Sequence, residues 1–142
     1  MAGVKITRND ISPKLSKMAS TAKNPEKILR TMGTTFLSIT MGNFNDAGAS
    51  YRPSAWKNKK DGTPSKLQKS GTLARSFHLS VTRAAATVSN PTIYAATHQF
   101  GRDAIPARPF FPVDESGHLT PKAENLIARA GERALKREAS IP

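Results

Sequence analysis

Apolar residues recur at helical spacing in three segments of the sequence. We expect a short helix after Pro13, a longer helix over residues 25–41 and a closing helix over residues 121–138, because this spacing places apolar side chains on one helix face. The predicted inward-facing residues are Leu15, Met18, Ala19 and Ala22 in the first helix, Ile28, Met32, Thr35, Phe36 and Ile39 in the second, and Leu119, Ala123, Leu126, Ile127, Ala130 and Ala134 around the third.

Pairs of a polar residue and a proline mark the predicted helix starts. The polar side chain accepts a hydrogen bond from a free backbone N–H of the first turn, and proline has no N–H to leave unpaired there. The third pair predicts a short helix that ends near Phe100, with Gly101 stopping it in a left-handed conformation. The four pairs are Ser12–Pro13, Asn24–Pro25, Asn90–Pro91 and Thr120–Pro121.

Alternation of apolar and polar residues predicts the β-strands. We expect strands over residues 4–8, 73–81, 86–89 and 110–113, with a turn at residues 83–85. The elements together predict an α+β fold, in which a small, mainly antiparallel sheet packs against three to four α-helices. Residues 1–142 are expected to form a single domain.

The periodic pattern disappears between Asn43 and Ser70, a segment that we call the basic loop. A connection of this length in a compact domain is usually functional or disordered until it is bound. We therefore predict a docking loop that becomes ordered on its partner. Its candidate contact residues are Arg52, Trp56, Lys57, Lys59, Lys60, Lys66 and Lys69.

The net charge of +12 arises from 22 Lys and Arg residues against 10 Asp and Glu residues. Such a field favours nucleic acid or an acidic protein surface, and both partners stay open. Trp56 lies among lysines, a combination that can stack on bases and hold phosphates. The sequence has no apolar segment long enough to span a membrane, and it has no cysteine.

The sequence contains no recognisable catalytic, cofactor-binding or metal-binding motif. None of the three histidines has metal-ligand spacing, and the adjacent Asp114–Glu115 pair is typical of a solvated loop. His98 leaves two interpretations open, as a general base paired with Asp103 or as a residue that holds the following loop. We therefore expect a protein that is not an enzyme and that has no catalytic residue, cofactor or metal.

One segment resembles the signature of a known family. Residues 94–101 read Tyr-Ala-Ala-Thr-His-Gln-Phe-Gly, and residues 105–110 read Ile-Pro-Ala-Arg-Pro-Phe. These paired motifs resemble those of the phage virion morphogenesis family, which includes tail-completion and neck proteins of long-tailed bacteriophages. The resemblance covers about residues 25–138, and it also includes Trp56 and the segment from Leu67 to Leu73.

The resemblance implies a structural virion protein at the head–tail junction, where copies of the chain form a ring that joins heads to tails or completes the tail. The implied partners are other copies of the chain, a head-completion or connector protein, and a tail terminator or tail tube. Contact with genomic DNA in the ring lumen is also compatible with the resemblance, whereas a membrane partner is not expected. The implied location is the virion neck or tail, after assembly in the host bacterial cytoplasm. The alternative is a stand-alone basic protein that binds nucleic acid.

Residues 105–110 form a segment that we call the arm. Pro106 and Pro109 restrict the backbone to extended conformations, so we expect Arg108 to project toward a defined partner, with Phe100 and Phe110 buried at the two ends of the loop. Folding of the domain and contact between subunits are both open as roles. The candidate residues for subunit contact or for holding the loop are His98, Gln99, Phe100, Gly101, Arg108, Pro109 and Phe110.

Overall fold

Three strands and five helices make up the part of the chain that the structure describes. The computed structural model describes residues 4–7, 12–45, 51–62, 72–114 and 116–139. The elements are β1 (Val4–Thr7), α1 (Pro13–Ser20), α2 (Pro25–Gly42), α3 (Thr72–Arg75), β2 (His78–Val81), β3 (Ala86–Asn90), α4 (Ala95–Phe100) and α5 (Pro121–Ala139). The α+β fold predicted from the sequence is confirmed, with one more short helix than expected.

The sheet is antiparallel and has β3 in its centre. The strand order is β1-β3-β2, and Val88 of β3 pairs with Ile6 of β1 on one side and with Leu79 of β2 on the other. The predicted turn between β2 and β3 is closed by the N–H of Thr82, which donates a 2.8 Å hydrogen bond to the carbonyl of Ala85.

Three of the four predicted helix starts are confirmed by their capping hydrogen bonds. The N–H of Leu15 donates to the Ser12 side chain at the start of α1. Asn24 caps α2 in the same way, and Thr120 caps α5 through the N–H of Ala123. A proline follows each of the three caps, as expected for a first helical position.

The start predicted at Asn90–Pro91 is wrong, because Asn90 is the last residue of β3. Its buried side chain donates to the carbonyl of Leu73 and accepts from the N–H of Thr92. This local turn uses the capping side chain before a helix can form. Helix α4 therefore begins only at Ala95.

Two strand predictions also need correction. Residues Thr72–Arg75 form a helical turn, so β2 begins at His78 and not at residue 73. Residues 110–113 form no strand, and only Val113 makes an isolated bridge, with Leu119. Pro109 and Pro112 have no N–H to donate to a strand ladder.

Helix α2 lies between the sheet and α5 and contacts both. A side chain at Gly33 would bring its Cβ within 2.7 Å of Leu79 and within 3.0 Å of Ala86. The glycine therefore allows α2 to approach the sheet closely. The opposite side of α2 packs on α5, whose buried face contains Ala123, Ile127 and other small apolar residues.

An aromatic cluster fills the end of the core below the arm. Phe44, Phe110 and Phe111 are essentially inaccessible to solvent, and the closest pair of ring centroids, that of Phe110 and Phe111, is separated by 4.8 Å. Burial of one such side chain contributes on the order of 2 kcal/mol. The cluster fixes the position of the arm, because it contains the ring of Phe110, the last residue of the arm, and the ring of Phe111, the residue that follows. Its five rings are those of Phe36, Phe44, Phe77, Phe110 and Phe111.

Candidate functional site

The candidate site is built where α4 turns into the arm. Gly101 ends α4 with a φ of 77°, and Arg102 and Ile105 then pair across a tight turn. The chain returns along α4, and the N–H of Arg108 donates a 2.7 Å hydrogen bond to the carbonyl of His98. The two motifs of the sequence signature are therefore adjacent in space.

Gln99 holds the end of the arm. Its side-chain oxygen accepts hydrogen bonds from the N–H groups of Phe110 and Phe111, both at 3.0 Å. Gln99 and both phenylalanines are buried, so water cannot replace Gln99 as the acceptor for these two N–H groups. These bonds explain why residues 110–113 do not pair as a strand.

Within the described residues, the His98 side chain neither pairs with Asp103 nor hydrogen-bonds to the following loop, whereas its candidate role in subunit contact stays a prediction. Its Nδ1 atom is buried and has no hydrogen-bond partner within the described residues. Asp103, the predicted partner for a general base, pairs instead with Arg102 at 3.7 Å and is largely exposed. Burial, reinforced by the nearby positive charge of Arg108, lowers the pKa of His98 from its ordinary value of 6.5. The residue holds the arm only through its backbone carbonyl.

Arg108 projects from the arm and donates hydrogen bonds to the basic loop of its own chain. Its Nε donates to the carbonyl of Lys57 at 2.9 Å, and its second guanidinium nitrogen donates to the carbonyl of Asn58 at 3.1 Å. A planar guanidinium is well suited to bind two neighbouring carbonyls in this way. The arm therefore holds part of the loop in place without a second subunit.

Trp56 forms a second connection between the basic loop and the arm. Its indole N–H donates a 2.8 Å hydrogen bond to the carbonyl of Pro109. The guanidinium of Arg52 lies 3.5 Å from the centroid of the indole ring, and the ring of Phe44 contacts the indole edge-on. Arg52 therefore covers one face of the half-buried ring and Pro109 binds its N–H, whereas stacking of Trp56 on bases stays a prediction from the sequence.

Asn43 joins these parts at the end of α2. Its side-chain amide donates to the carbonyl of Phe110 and accepts from the N–H of Tyr51, while its backbone carbonyl accepts from Arg52. Residues 51–58 are consequently folded onto the domain, and the prediction of a loop that becomes ordered only on docking is wrong for this part. Lys57, Lys59 and Lys60 are exposed, whereas Lys66 and Lys69 lie outside the described residues.

A family model for the phage virion morphogenesis family matches residues 6–135, which is more than half of the chain. The chain belongs to the phage virion morphogenesis family. Its role is accordingly structural, in the morphogenesis of a phage virion. No curated protein and no solved structure gave a significant match.

Four large apolar residues in or beside the family signature are exposed in this chain. Ile93, Tyr94 and Phe100 are 62%, 63% and 65% exposed, and Ile105 is 46% exposed. We call these four residues the apolar patch. The burial expected for Phe100 is wrong, because the buried side of α4 is taken by Ala95 and Gln99, which leaves Phe100 on the outer side of the helix.

Two further observations bear on the function of this virion morphogenesis protein. Within the described ranges, no three His, Asp or Glu residues are grouped so that they could hold a metal ion. Among the same residues, no helix has both the length and the hydropathy of a membrane span.

The sequence did not reveal Ile93, Tyr94 and Ile105 as surface residues, nor Asn43 as a connecting residue. None of these three residues lies within a helix or strand, since Ile93 and Tyr94 precede α4 and Ile105 lies on the arm, so periodicity does not decide between core and surface for them. Asn43 follows a helix, which is an ordinary position for asparagine, and its contacts come from residues far away in the sequence.

Proposed function

We propose that this family member is a neck or tail-completion subunit that forms a homo-oligomeric ring at the head–tail junction of a long-tailed bacteriophage. In this role it assembles and does not catalyse. Its partners would be other copies of itself, a head-completion or connector protein, and a tail terminator or tail tube. It would assemble in the host cytoplasm and remain in the neck of the virion.

The observation that carries the proposal is the apolar patch on the family signature. Monomeric proteins rarely expose several large apolar residues together, and such patches commonly mark sites of protein contact. Aromatic residues are enriched in interfaces, and two of the four patch residues, Tyr94 and Phe100, are aromatic. Burial of these side chains against a partner would favour association.

The rigidity of the backbone beneath the patch supports the same proposal. The hydrogen bond of Gln99 and the positive φ of Gly101 define the backbone on both sides of Phe100. A preorganised surface loses less conformational entropy when it binds. The patch is therefore suited to a repeated contact between identical subunits, and contacts of this kind close into a ring when the rotation between neighbours permits it.

The test compares two aspartate substitutions of exposed apolar residues. Phe100→Asp should leave the monomer folded and abolish its oligomers, as measured by light scattering coupled to size-exclusion chromatography. In complementation of a phage that lacks the protein, filled heads and finished tails should accumulate without joining. Met41→Asp is the matched control, because Met41 is 38% exposed on α2, outside the patch. Normal virion yield with Phe100→Asp would refute the proposal.

The alternative function, stand-alone binding of nucleic acid, rests on the net charge of +12. It predicts tight binding of a short duplex by the monomer at about 0.15 M salt, in the range of roughly 10⁻⁸ M or below that is typical of specific DNA-binding proteins. The ring proposal predicts only the weak, salt-sensitive binding expected of a basic surface.

A further inference from the structure

Helix α5 carries a line of cations on its solvent-facing side. Lys122, Arg129, Arg133 and Lys136 are all exposed, and they fall within an arc of about 60° because an α-helix turns by about 100° per residue. We call these four residues the cationic stripe. At a rise of 1.5 Å per residue, the stripe extends over about 21 Å.

Three of these cations are free of carboxylate partners in the described part of the chain. Within the described residues, no ion pair involves Arg129, Arg133 or Lys136, whereas Arg30, Arg102 and His118 each have a carboxylate partner. Lys122 lies instead over the ring of Tyr51, at 4.5 Å from its centroid. The stripe therefore has positive charge available for an external anion.

The chemistry of the stripe distinguishes it from a protein-binding surface. Protein interfaces have a core that is depleted of charge and enriched in aromatic residues, a description that fits the apolar patch. The exposed large apolar residues of the described chain lie on α2, around α4 and on the arm, and none lies on α5. A row of arginines and lysines without an exposed large apolar neighbour is instead suited to phosphates, which a DNA backbone presents at short, regular intervals.

We infer that the outer face of α5 binds the sugar–phosphate backbone of double-stranded DNA without sequence specificity. This inference deepens the proposed function, on which it rests for its biological setting, because a ring subunit with an apolar face for its neighbours and a cationic face for DNA would contact the genome that crosses the junction. Lys57, Lys59 and Lys60 of the basic loop are exposed as well, and they therefore serve as the comparison in the experiment.

The experiment measures binding of the purified chain to a fluorescent duplex of about 30 base pairs, by anisotropy, between about 0.05 and 0.2 M salt. The test variant is the triple substitution Arg129→Gln, Arg133→Gln and Lys136→Gln. Its matched control removes the same charge from the loop, as Lys57→Gln, Lys59→Gln and Lys60→Gln. All six side chains are exposed, and circular dichroism verifies that both variants fold.

We expect the α5 variant to bind DNA at least tenfold more weakly at the lowest salt concentration. The slope of log affinity against log salt should become shallower by about 2 to 3, because each lost phosphate contact removes about 0.9 from it. The loop variant should change both quantities much less. Equal losses in the two variants, or no loss in either, would overturn the inference. Loss of binding to an acidic virion protein with unchanged DNA affinity would assign the stripe to that protein and would also overturn it.

Failure of this inference can be distinguished from failure of the ring proposal. Phe100→Asp should abolish oligomers while the isolated subunit keeps its DNA affinity, since the apolar patch is not part of the stripe. If the α5 variant binds DNA normally while Phe100→Asp still blocks assembly, the ring proposal stands and the DNA contact is refuted.

Discussion

The side-chain oxygen of Gln99 lies 3.0 Å from the backbone nitrogen of Phe110, and this hydrogen bond ties α4 to the end of the arm. The same oxygen accepts from the N–H of Phe111. The buried side-chain amide of Gln99 thus accepts two backbone hydrogen bonds that a neighbouring strand would otherwise accept.

Substitution of Gln99 by leucine should therefore be strongly destabilising. Gln99→Leu leaves the N–H groups of Phe110 and Phe111 buried without an acceptor, which costs about 2 to 5 kcal/mol in total. Urea denaturation measures the free energy of unfolding. Phe100→Ser, at the exposed neighbouring position, is the control and should change it by less than about 0.5 kcal/mol. Similar unfolding curves for the two variants would contradict the assigned role of Gln99.

Two glycine-to-alanine substitutions should have opposite effects. At Gly101 an added Cβ would lie 2.9 Å from the backbone nitrogen of Ala107, and φ is positive. We expect Gly101→Ala to cost about 1 to 3 kcal/mol from backbone strain, with a further loss from the contact. At Gly42, which ends α2, nothing lies within 4 Å, so Gly42→Ala should stabilise by up to about 1 kcal/mol. Thermal denaturation of the two variants tests this, and a loss of similar size in both would contradict the geometry of the turn.

Removal of the Arg108 guanidinium should loosen the loop that it holds. Arg108→Ala should lower the melting temperature by about 3 to 8 °C, because hydrogen bonds to a charged donor contribute about 1 to 2 kcal/mol. Arg108→Lys should restore little of this, since lysine has no planar fork for two carbonyls.

The same substitution has a local readout in trypsin cleavage. Trypsin cuts the peptide bond whose carbonyl belongs to Lys57, and Arg108 binds that carbonyl. Cleavage after Lys57 should thus accelerate several-fold in Arg108→Ala, relative to cleavage after Lys17 in α1. Unchanged melting temperature and cleavage, together with failed assembly, would assign Arg108 to a neighbouring subunit instead.

His98 should make stability depend on pH. Its pKa is lowered in the folded state below the ordinary value of 6.5, so the unfolded chain binds the proton more readily. The contribution of His98 to the free energy of unfolding is therefore fully present above about pH 6.5, and it decreases as the pH falls toward the folded-state pKa. His98→Gln should flatten this part of the profile, measured as unfolding free energy between about pH 5 and 8.

The parts of the fold that the sequence predicted well are those determined by local interactions. The capping pairs at Ser12, Asn24 and Thr120 and the periodicity of α2 and α5 depend on residues within one or two helical turns. Asn90 has the same sequence signature but forms a different local turn, because the end of a strand already holds it against Leu73.

The parts that sequence reasoning missed depend on distant partners. Residues 110–113 have the composition of a strand, but the N–H groups of Phe110 and Phe111 donate to Gln99, which lies eleven residues before Phe110. The N–H of Val113 donates to the carbonyl of Phe111. The basic loop has the composition of a disordered segment, yet residues 51–58 are held by Asn43, Pro109 and Arg108. Such pairings are set by the tertiary fold and leave no periodic signal in the sequence.

The position of Trp56 has a spectroscopic consequence, because it is the only tryptophan in the chain. Its indole contacts the arm through Pro109 and lies beneath the guanidinium of Arg52. Tryptophan emission from the unlabelled protein consequently reports on this one junction. A cation over the ring and a hydrogen-bonded indole nitrogen both influence the wavelength and the yield of that emission. Any displacement of the arm during the proposed ring assembly would thus be visible in real time as a fluorescence change, without a dye or an engineered probe.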